Sequence, residues 1–169
     1  MNYSDIKYFD VINGLGIRVS IFVSGCSHHC EHCFNKNTWN ENFGNEFTDE
    51  IQNDIFKYID MYNNIISGIS LLGGDPTYYK NINPLIDFID KFKSKFPNKN
   101  IWIWSGFTWE QINSNKNMFE LVSKCDVLVD GKFIDELKDL KLKFRGSKNQ
   151  RIIDIKQSIN NNKLIEYIV

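Results

Sequence analysis

The sequence predicts an α/β fold in which parallel strands are joined by crossover helices. Short apolar segments typical of strands alternate along the chain with longer segments whose apolar residues recur at helical spacing. Such alternation favours right-handed β–α–β units and a parallel sheet. Because 169 residues are too few for a complete barrel, we expect a partial β/α barrel that is open on one side. A doubly wound sheet is the alternative.

Four strands are predicted from short apolar runs. The first covers Gly16 to Val23, where apolar residues alternate at period two. The next three are expected at Ile69 to Leu72, at Ile101 to Trp104 and at Val127 to Val129. Each is followed directly by small or polar residues, which end the strand.

Helices are predicted between these strands. Thr48 is expected to cap a first helix whose first turn carries Asp49 and Glu50, since carboxylates stabilise a helix N-terminus. Pro84 suits the first turn of a second helix, and Pro97 ends it. A shorter helical region follows the third strand and runs to about residue 124.

Length and composition indicate a single domain over residues 1–169 with a hydrophobic core. Hydrophobic residues make up 42% of the chain and aromatic residues 14%, which excludes the disordered class. Twenty basic and twenty-one acidic residues give a net charge of −1, so no overall field favours nucleic acid or a membrane surface. Neither a signal peptide nor a run of ~20 apolar residues is present. We therefore expect a cytoplasmic protein with reduced thiols.

Three of the four cysteines lie in one loop directly after the first predicted strand. Cys26, Cys30 and Cys33 have the spacing C-x3-C-x2-C, and Phe34 follows them. Three thiolates on a short loop can hold three corners of an iron–sulfur cube, which ordinarily has four cysteine ligands. One iron would then stay open for another ligand.

Other kinds of site fit parts of this pattern. Disulfides are disfavoured because three cysteines crowd one loop while Cys125 is far away. Zinc is an alternative, since His28, His29 and His32 all lie in the same loop, although no histidine follows it to complete a second ligand pair. An iron–sulfur electron carrier with Cys125 as fourth ligand is the third possibility.

The unusual residues of the chain follow the ends of strands. Besides the cysteines, these are Gly73 to Pro76, Ser105–Gly106 and Asp130–Gly131. In parallel α/β folds such loops converge on one edge of the sheet, where ligands bind. We therefore expect four segments at one site, although the sequence Gly-Gly-Asp-Pro taken alone is explained better by a tight turn.

Taken together, the cysteine loop and Gly73-Gly74-Asp75-Pro76 resemble the cofactor motifs of radical S-adenosylmethionine (SAM) enzymes. More narrowly, segments along nearly the whole chain resemble the activating proteins of anaerobic ribonucleoside-triphosphate reductases. These segments are Val11 to Gly14 with Gly16, Phe22 to Cys26, Asn35 to Trp39, Gly68 to Pro76, Ile101 to Phe107, Asp126 to Phe133 and Phe144 to Gln150. The V-D-G-K-F and R-G-S-x-N-Q segments distinguish this family from the activases of pyruvate formate-lyase. The main departure is a C-terminal extension beyond Ile153, expected to form an edge strand or a partner-binding element.

The resemblance implies a cofactor set and a site. Cys26, Cys30 and Cys33 would hold a [4Fe–4S] cluster, and SAM would bind its open iron. The residues expected to contact SAM are His32, Cys33, Phe34, Gly73 and Gly74. Phe34 would contact the adenine, and the glycines would let the backbone approach the methionyl end. On this basis Gly74→Val is expected to weaken SAM binding and to leave the cluster in place.

The resemblance also implies a reaction and partners. Flavodoxin or ferredoxin would supply an electron, reductive cleavage of SAM would give a 5′-deoxyadenosyl radical, and that radical would take a hydrogen atom from a glycine of the large reductase subunit. A radical SAM oxidoreductase of this kind needs no general acid or base, so no side chain is assigned a catalytic role. The runner-up is activation of another glycyl radical enzyme, such as pyruvate formate-lyase.

Several residues have more than one interpretation. Phe34 also fits a core position, and Cys125 is most simply a buried small hydrophobic residue. Arg145 suits a carboxylate anchor, a reductase-docking residue or a surface ion pair. One or both of Trp102 and Trp104 are expected to pack beneath the site.

Overall fold

One mixed sheet of seven strands organises residues 1–168, the part of the chain that the computed structural model describes. In chain order the strands are β1 Asn2–Asp10, β2 Ile17–Val23, β3 Asn45–Glu46, β4 Ile66–Gly73, β5 Asn100–Trp104, β6 Val127–Asp130 and β7 Arg151–Asp154. Their order across the sheet is β3-β1-β2-β4-β5-β6-β7.

The four central strands, β2, β4, β5 and β6, are parallel, which confirms the predicted pattern for this part of the sheet. They correspond to the four strands predicted from the sequence. The helices are α1 Asp49–Met61, α2 Tyr79–Lys95, α3 Trp109–Asn113, α4 Lys116–Ser123 and α5 Ile155–Asn160. The first four connect the parallel strands, and α5 follows β7. None of the helices within residues 1–168 has the length and apolar character needed to cross a membrane.

The outer strands correct the expectation of a parallel sheet. Strand β1 was not predicted, and β1, β3 and β7 each run antiparallel to a neighbour. Only residues 11–16 connect β1 to β2, whereas a parallel connection needs a dozen residues or more. The short connection therefore makes β1 a hairpin partner of β2, and the sheet is mixed.

The first two helices show one prediction confirmed and one corrected. The Thr48 side chain accepts a hydrogen bond from the Ile51 N–H, as an N-cap should. Helix α2, however, begins at Tyr79, so Pro84 lies inside it rather than in its first turn. There the proline ring removes the hydrogen bond to the Lys80 carbonyl, four residues earlier, and crowds that carbonyl.

The two faces of the sheet carry different apolar clusters. On one face, strand residues pack against buried residues of the helices, such as Ile55, Leu85 and Leu121. Since successive strand side chains point to opposite faces, the alternate residues form a second cluster. It contains Trp102, Val127, Val129 and Ile152, with Trp104, Phe144 and Tyr167 packed against it. The Tyr167 ring lies edge-on to Trp102 at 5.5 Å, so the C-terminal extension covers part of this second face.

A fully buried arginine fills the second face near the start of β2. The Arg18 guanidinium donates to Ser70 Oγ (2.7 Å), Asn100 Oδ1 (2.7 Å) and the Leu15 carbonyl (3.0 Å). It also lies over the Trp102 ring, and burial lowers the pKa of Arg18 to about 10. These bonds join β2 to β4 and β5 at the end of the sheet away from the cysteine loop.

Candidate functional site

The loops that follow β2, β4, β5 and β6 meet at a cavity of about 200 Å³, which we call the cysteine cavity. Its lining includes Cys26, Cys30, Cys33, Gly73, Gly74, Ser105, Gly106 and Gly131. The four segments that follow predicted strands therefore lie together at one edge of the sheet. This arrangement follows from the parallel direction of the four strands, whose C-terminal ends share that edge.

The three loop cysteines are half-buried, and all four cysteines of the chain are free thiols. Burial raises the pKa of Cys26 to about 11, although a backbone hydrogen bond from His28 opposes the rise, and burial also raises the pKa of Cys30. Iron binding would displace the protons, because a coordinating thiol is deprotonated. Three free thiols that face one cavity fit the donor set of an iron–sulfur cluster.

A single metal ion requires a tighter set of ligands than a cube of four irons. Within residues 1–168, no group of three or more His, Cys, Asp or Glu side chains is arranged to hold one ion. The histidines of the loop instead make separate contacts. His32 Nδ1 lies 2.8 Å from the Asp135 carboxylate, and the His29 ring stacks on Trp39 at 4.6 Å.

A second cavity of about 500 Å³ adjoins the cysteine cavity. Cys33 and Trp104 line both, and His32, Phe34 and Arg145 line only the second. Its volume lies in the range of small-molecule sites. The sequence-predicted SAM contacts therefore divide between two connected spaces, with Gly73 and Gly74 in the cysteine cavity.

Phe34 does not pack in the core. Its side chain is 100% exposed and stands at the second cavity. The interpretation of Phe34 as a core residue is therefore wrong. A fully exposed aromatic ring beside a cavity is available to stack on a planar ligand.

The glycine turn packs directly against the cysteine loop. Gly73 has φ +112°, and a Cβ on Gly74 would lie 2.6 Å from the Gly25 carbonyl oxygen and 3.0 Å from that of Thr38. The Gly74 N–H donates to the Val23 carbonyl at 2.7 Å. These contacts require glycine whether or not a ligand is bound. They also correct the expectation that a side chain at Gly74 would leave the cysteine loop undisturbed.

Asp75 has a role that the sequence did not reveal. Its carboxylate is buried and accepts hydrogen bonds from His28 Nε2 (2.7 Å), the Gly106 N–H (3.0 Å), the Thr77 N–H (2.8 Å) and Ser105 Oγ (3.3 Å). It therefore joins three of the loops that form the cysteine cavity. An acidic residue at the end of an apolar strand is the sequence feature that points to such a role.

A second buried carboxylate fixes the end of β6. Asp130 accepts from the Trp109 N–H (2.7 Å) and from Arg151 Nε (3.1 Å). Arg151 also pairs with Glu110 at 2.9 Å and lowers the pKa of Glu110 to about 2. The Asp130–Gly131 segment therefore contributes to the cavity through Gly131, while Asp130 joins β6 to β7 and α3.

The remaining residues singled out from the sequence have clear positions. Cys125 is fully buried, and burial raises the pKa of its thiol, which agrees with the interpretation as a small core residue. The Trp102 and Trp104 rings stack at 5.8 Å; Trp104 lines both cavities, and its Nε1 donates to the Phe144 carbonyl. Arg145 donates to the Gln150 carbonyl at 2.8 Å and lines the second cavity.

Comparisons with known proteins agree with this site. Residues 12–153 match a protein family described as a 4Fe-4S single cluster domain. The chain is 39% identical over 150 residues to the anaerobic ribonucleoside-triphosphate reductase-activating protein of Escherichia coli K12, covering 89% of this chain and 96% of that protein. It is also 39% identical over 152 residues to the proteins of the same name from Vibrio cholerae and bacteriophage T4. These matches cover 90% of this chain and 97% and 93% of the two proteins.

Replacing Gly74 with valine should disturb the cysteines as well as any ligand near the turn. The new Cβ would collide with the Gly25 carbonyl, and Gly25 directly precedes Cys26. We expect Gly74→Val to bind less iron and sulfide after anaerobic reconstitution than the parent chain. Gly131→Ala is the control for backbone strain: Gly131 lines the same cavity and has φ +95°, so alanine there is strained, but its Cβ would meet no atom closer than 3.7 Å. Full iron content in a folded Gly74→Val variant would contradict this account.

Proposed function

This chain belongs to the family of anaerobic ribonucleoside-triphosphate reductase-activating proteins, and on that premise we propose that it generates a glycyl radical on such a reductase by radical SAM chemistry. The observation that carries the proposal is the meeting of three free thiols and the Gly73–Gly74 turn in one cavity. This arrangement leaves the cluster one ligand short of the usual four cysteines.

We assign the cluster to the cysteine cavity. Cys26, Cys30 and Cys33 would hold a [4Fe–4S] cluster there, while Cys125 is buried elsewhere in the core. When bound, such a cluster would supply the electron for reductive cleavage of SAM to methionine and a 5′-deoxyadenosyl radical, which would take a hydrogen atom from a glycine Cα of the reductase. Flavodoxin or ferredoxin is the proposed source of the electron.

The chain's own residues bind and orient SAM in this proposal. SAM would lie across the boundary of the two cavities, where Cys33 lines both. The exposed Phe34 ring is placed to stack on an adenine, and the backbone of His32 lies beside it. The Gly73–Gly74 turn would face the methionyl end. Apolar side chains line part of the second cavity and would limit the access of water to bound SAM; they include Leu72, Trp104 and Phe133.

The exposed residues that line the second cavity favour a protein as the substrate. Ile12, Phe34 and Leu140 line this cavity and are 70%, 100% and 90% exposed. Apolar side chains around an opening provide contact area for a polypeptide, as at the centres of protein interfaces. We propose that the sheet is an open, partial barrel of the radical SAM type and that a glycine-bearing loop of the reductase enters from this side. We also propose a cytoplasmic location, the compartment in which thiols stay reduced.

The assignment of the three thiolates predicts distinct effects for the four cysteines. Replacing Cys26, Cys30 or Cys33 singly with alanine should abolish the cluster and the cleavage of SAM, because each removes a cluster ligand. Cys125→Ala is the matched control and should retain both, with only a loss of core packing. Iron and sulfide analysis of anaerobically purified protein measures the first property, and 5′-deoxyadenosine formation the second. A normal cluster in Cys30→Ala, or its loss in folded Cys125→Ala, would defeat the assignment.

The choice of partner predicts where the radical appears. Mixed anaerobically with SAM, a reductant and its cognate large reductase subunit, the protein should produce a glycyl-radical doublet in the EPR spectrum and start nucleotide reduction. The control replaces the reductase with pyruvate formate-lyase, which should give no doublet. A doublet on pyruvate formate-lyase but none on the reductase would reject the proposed partner and leave the SAM chemistry intact.

A further inference from the structure

The side chain of His28 anchors the middle of the cysteine loop. His28 lies between Cys26 and Cys30 in the sequence, and its Nε2–H donates to the Asp75 carboxylate at 2.7 Å. The two side chains are 11% and 2% exposed. Asp75 follows β4, so this bond ties the loop after β2 to the loop after the neighbouring strand.

The surroundings of the imidazole hold it in one position. A Cβ on Gly106 would lie 2.4 Å from Cδ2 of His28, so the ring occupies space that only a glycine leaves open. The Phe107 ring packs edge-on to the imidazole at 4.4 Å. The Gly106 N–H donates to the same Asp75 oxygen that His28 contacts. Loops from three parallel strands therefore meet at this ring.

The position of His28 also determines the surroundings of one thiol. The backbone N–H of His28 lies close enough to the Cys26 sulfur to lower the pKa of that thiol, against the larger effect of burial. Hydrogen bonds to ligand sulfurs tune the reduction potential of an iron–sulfur cluster, and they favour the more negative, reduced state. Any movement of His28 would change how close this N–H lies to the sulfur, and with it the placement of Cys26.

We propose that His28 and Asp75 form a clamp that positions the cysteine loop, retains the cluster and raises its reduction potential. His28 is a positioning residue here, because it acts through the backbone of the loop and ligates no iron. The inference rests on the proposed function only in requiring the cluster. The role resembles that of the hydrogen-bonded groups around metal ligands, which hold the ligands in their binding geometry.

Two properties of the reconstituted full-length protein test the clamp. We expect His28→Ala to lose iron to a chelator faster than the parent, because loss of such a supporting contact lowers metal affinity about 10–100-fold. Its midpoint potential should shift to more negative values in a spectroelectrochemical titration. His28→Gln keeps an N–H donor near the position of Nε2 and should restore part of both properties. His29→Gln is the matched control, since it removes an imidazole from the same loop that stacks on Trp39.

A third measurement needs no cluster. In the metal-free protein, hydrogen exchange of residues 24–34 should be faster in His28→Ala and in Asp75→Asn than in the parent or in His29→Gln. The clamp would be wrong if folded His28→Ala matched the parent chain in its rate of iron release, its midpoint potential and its hydrogen exchange. Failure of the parent chain to assemble a [4Fe–4S] cluster would instead reject the proposed function, and the exchange experiment would still decide whether the clamp orders the loop.

Discussion

A single buried carboxylate connects the parts of the molecule on which the site depends. Asp75 accepts hydrogen bonds from the cysteine loop, from its own turn and from the loop after β5. A buried acceptor left without its donors costs about 1–3 kcal/mol, so each of these loops is held where the carboxylate can be satisfied. The cysteines of one loop and the glycines of the next consequently face the same cavity.

The two faces of the sheet have different roles, one in stability and the other in function. One face is covered by helices and supplies most of the core, while the other carries Trp102, Trp104, the buried Arg18 and the two cavities. Arg18 and the C-terminal extension occupy this second face at the end away from the cysteines, through Ser70 and through Tyr167 on Trp102. The opposite end, where the parallel strands finish, stays accessible for ligands. Side chains of the same strands therefore build a closed core and an open site.

The sequence predicted best what depends on residue type and local spacing. The cysteine loop, the four central strands and the Thr48 cap can be found because each involves residues close together in the chain. Strand β1 was missed because its covered face offers only a few apolar residues, among them Ile6 and Tyr8, within a largely polar segment. Strand β1 is antiparallel to β2 because the connection between them is short, and the spacing of apolar residues does not predict that direction.

Contacts between residues that are far apart in the chain could not be predicted from local sequence patterns. His28 and Asp75 are separated by 47 positions, and Asp75 and Gly106 by 31. Nothing in the spacing of the cysteines indicates that the intervening histidine reaches the glycine turn. In the same way, the Gly-Gly-Asp-Pro segment suggested space for a ligand, whereas the folded chain shows that Gly74 makes room for the Gly25 carbonyl.

The central claim is that three thiolates leave one iron open to SAM, and EPR spectroscopy of the reduced protein tests it most directly. The account predicts a [4Fe–4S]⁺ spectrum that changes when SAM is added, because the amino and carboxylate groups of SAM become ligands of the open iron. Cys125→Ala should show the same change. A reduced cluster whose spectrum is unaffected by saturating SAM, or a protein that binds zinc and assembles no cluster, would contradict the account.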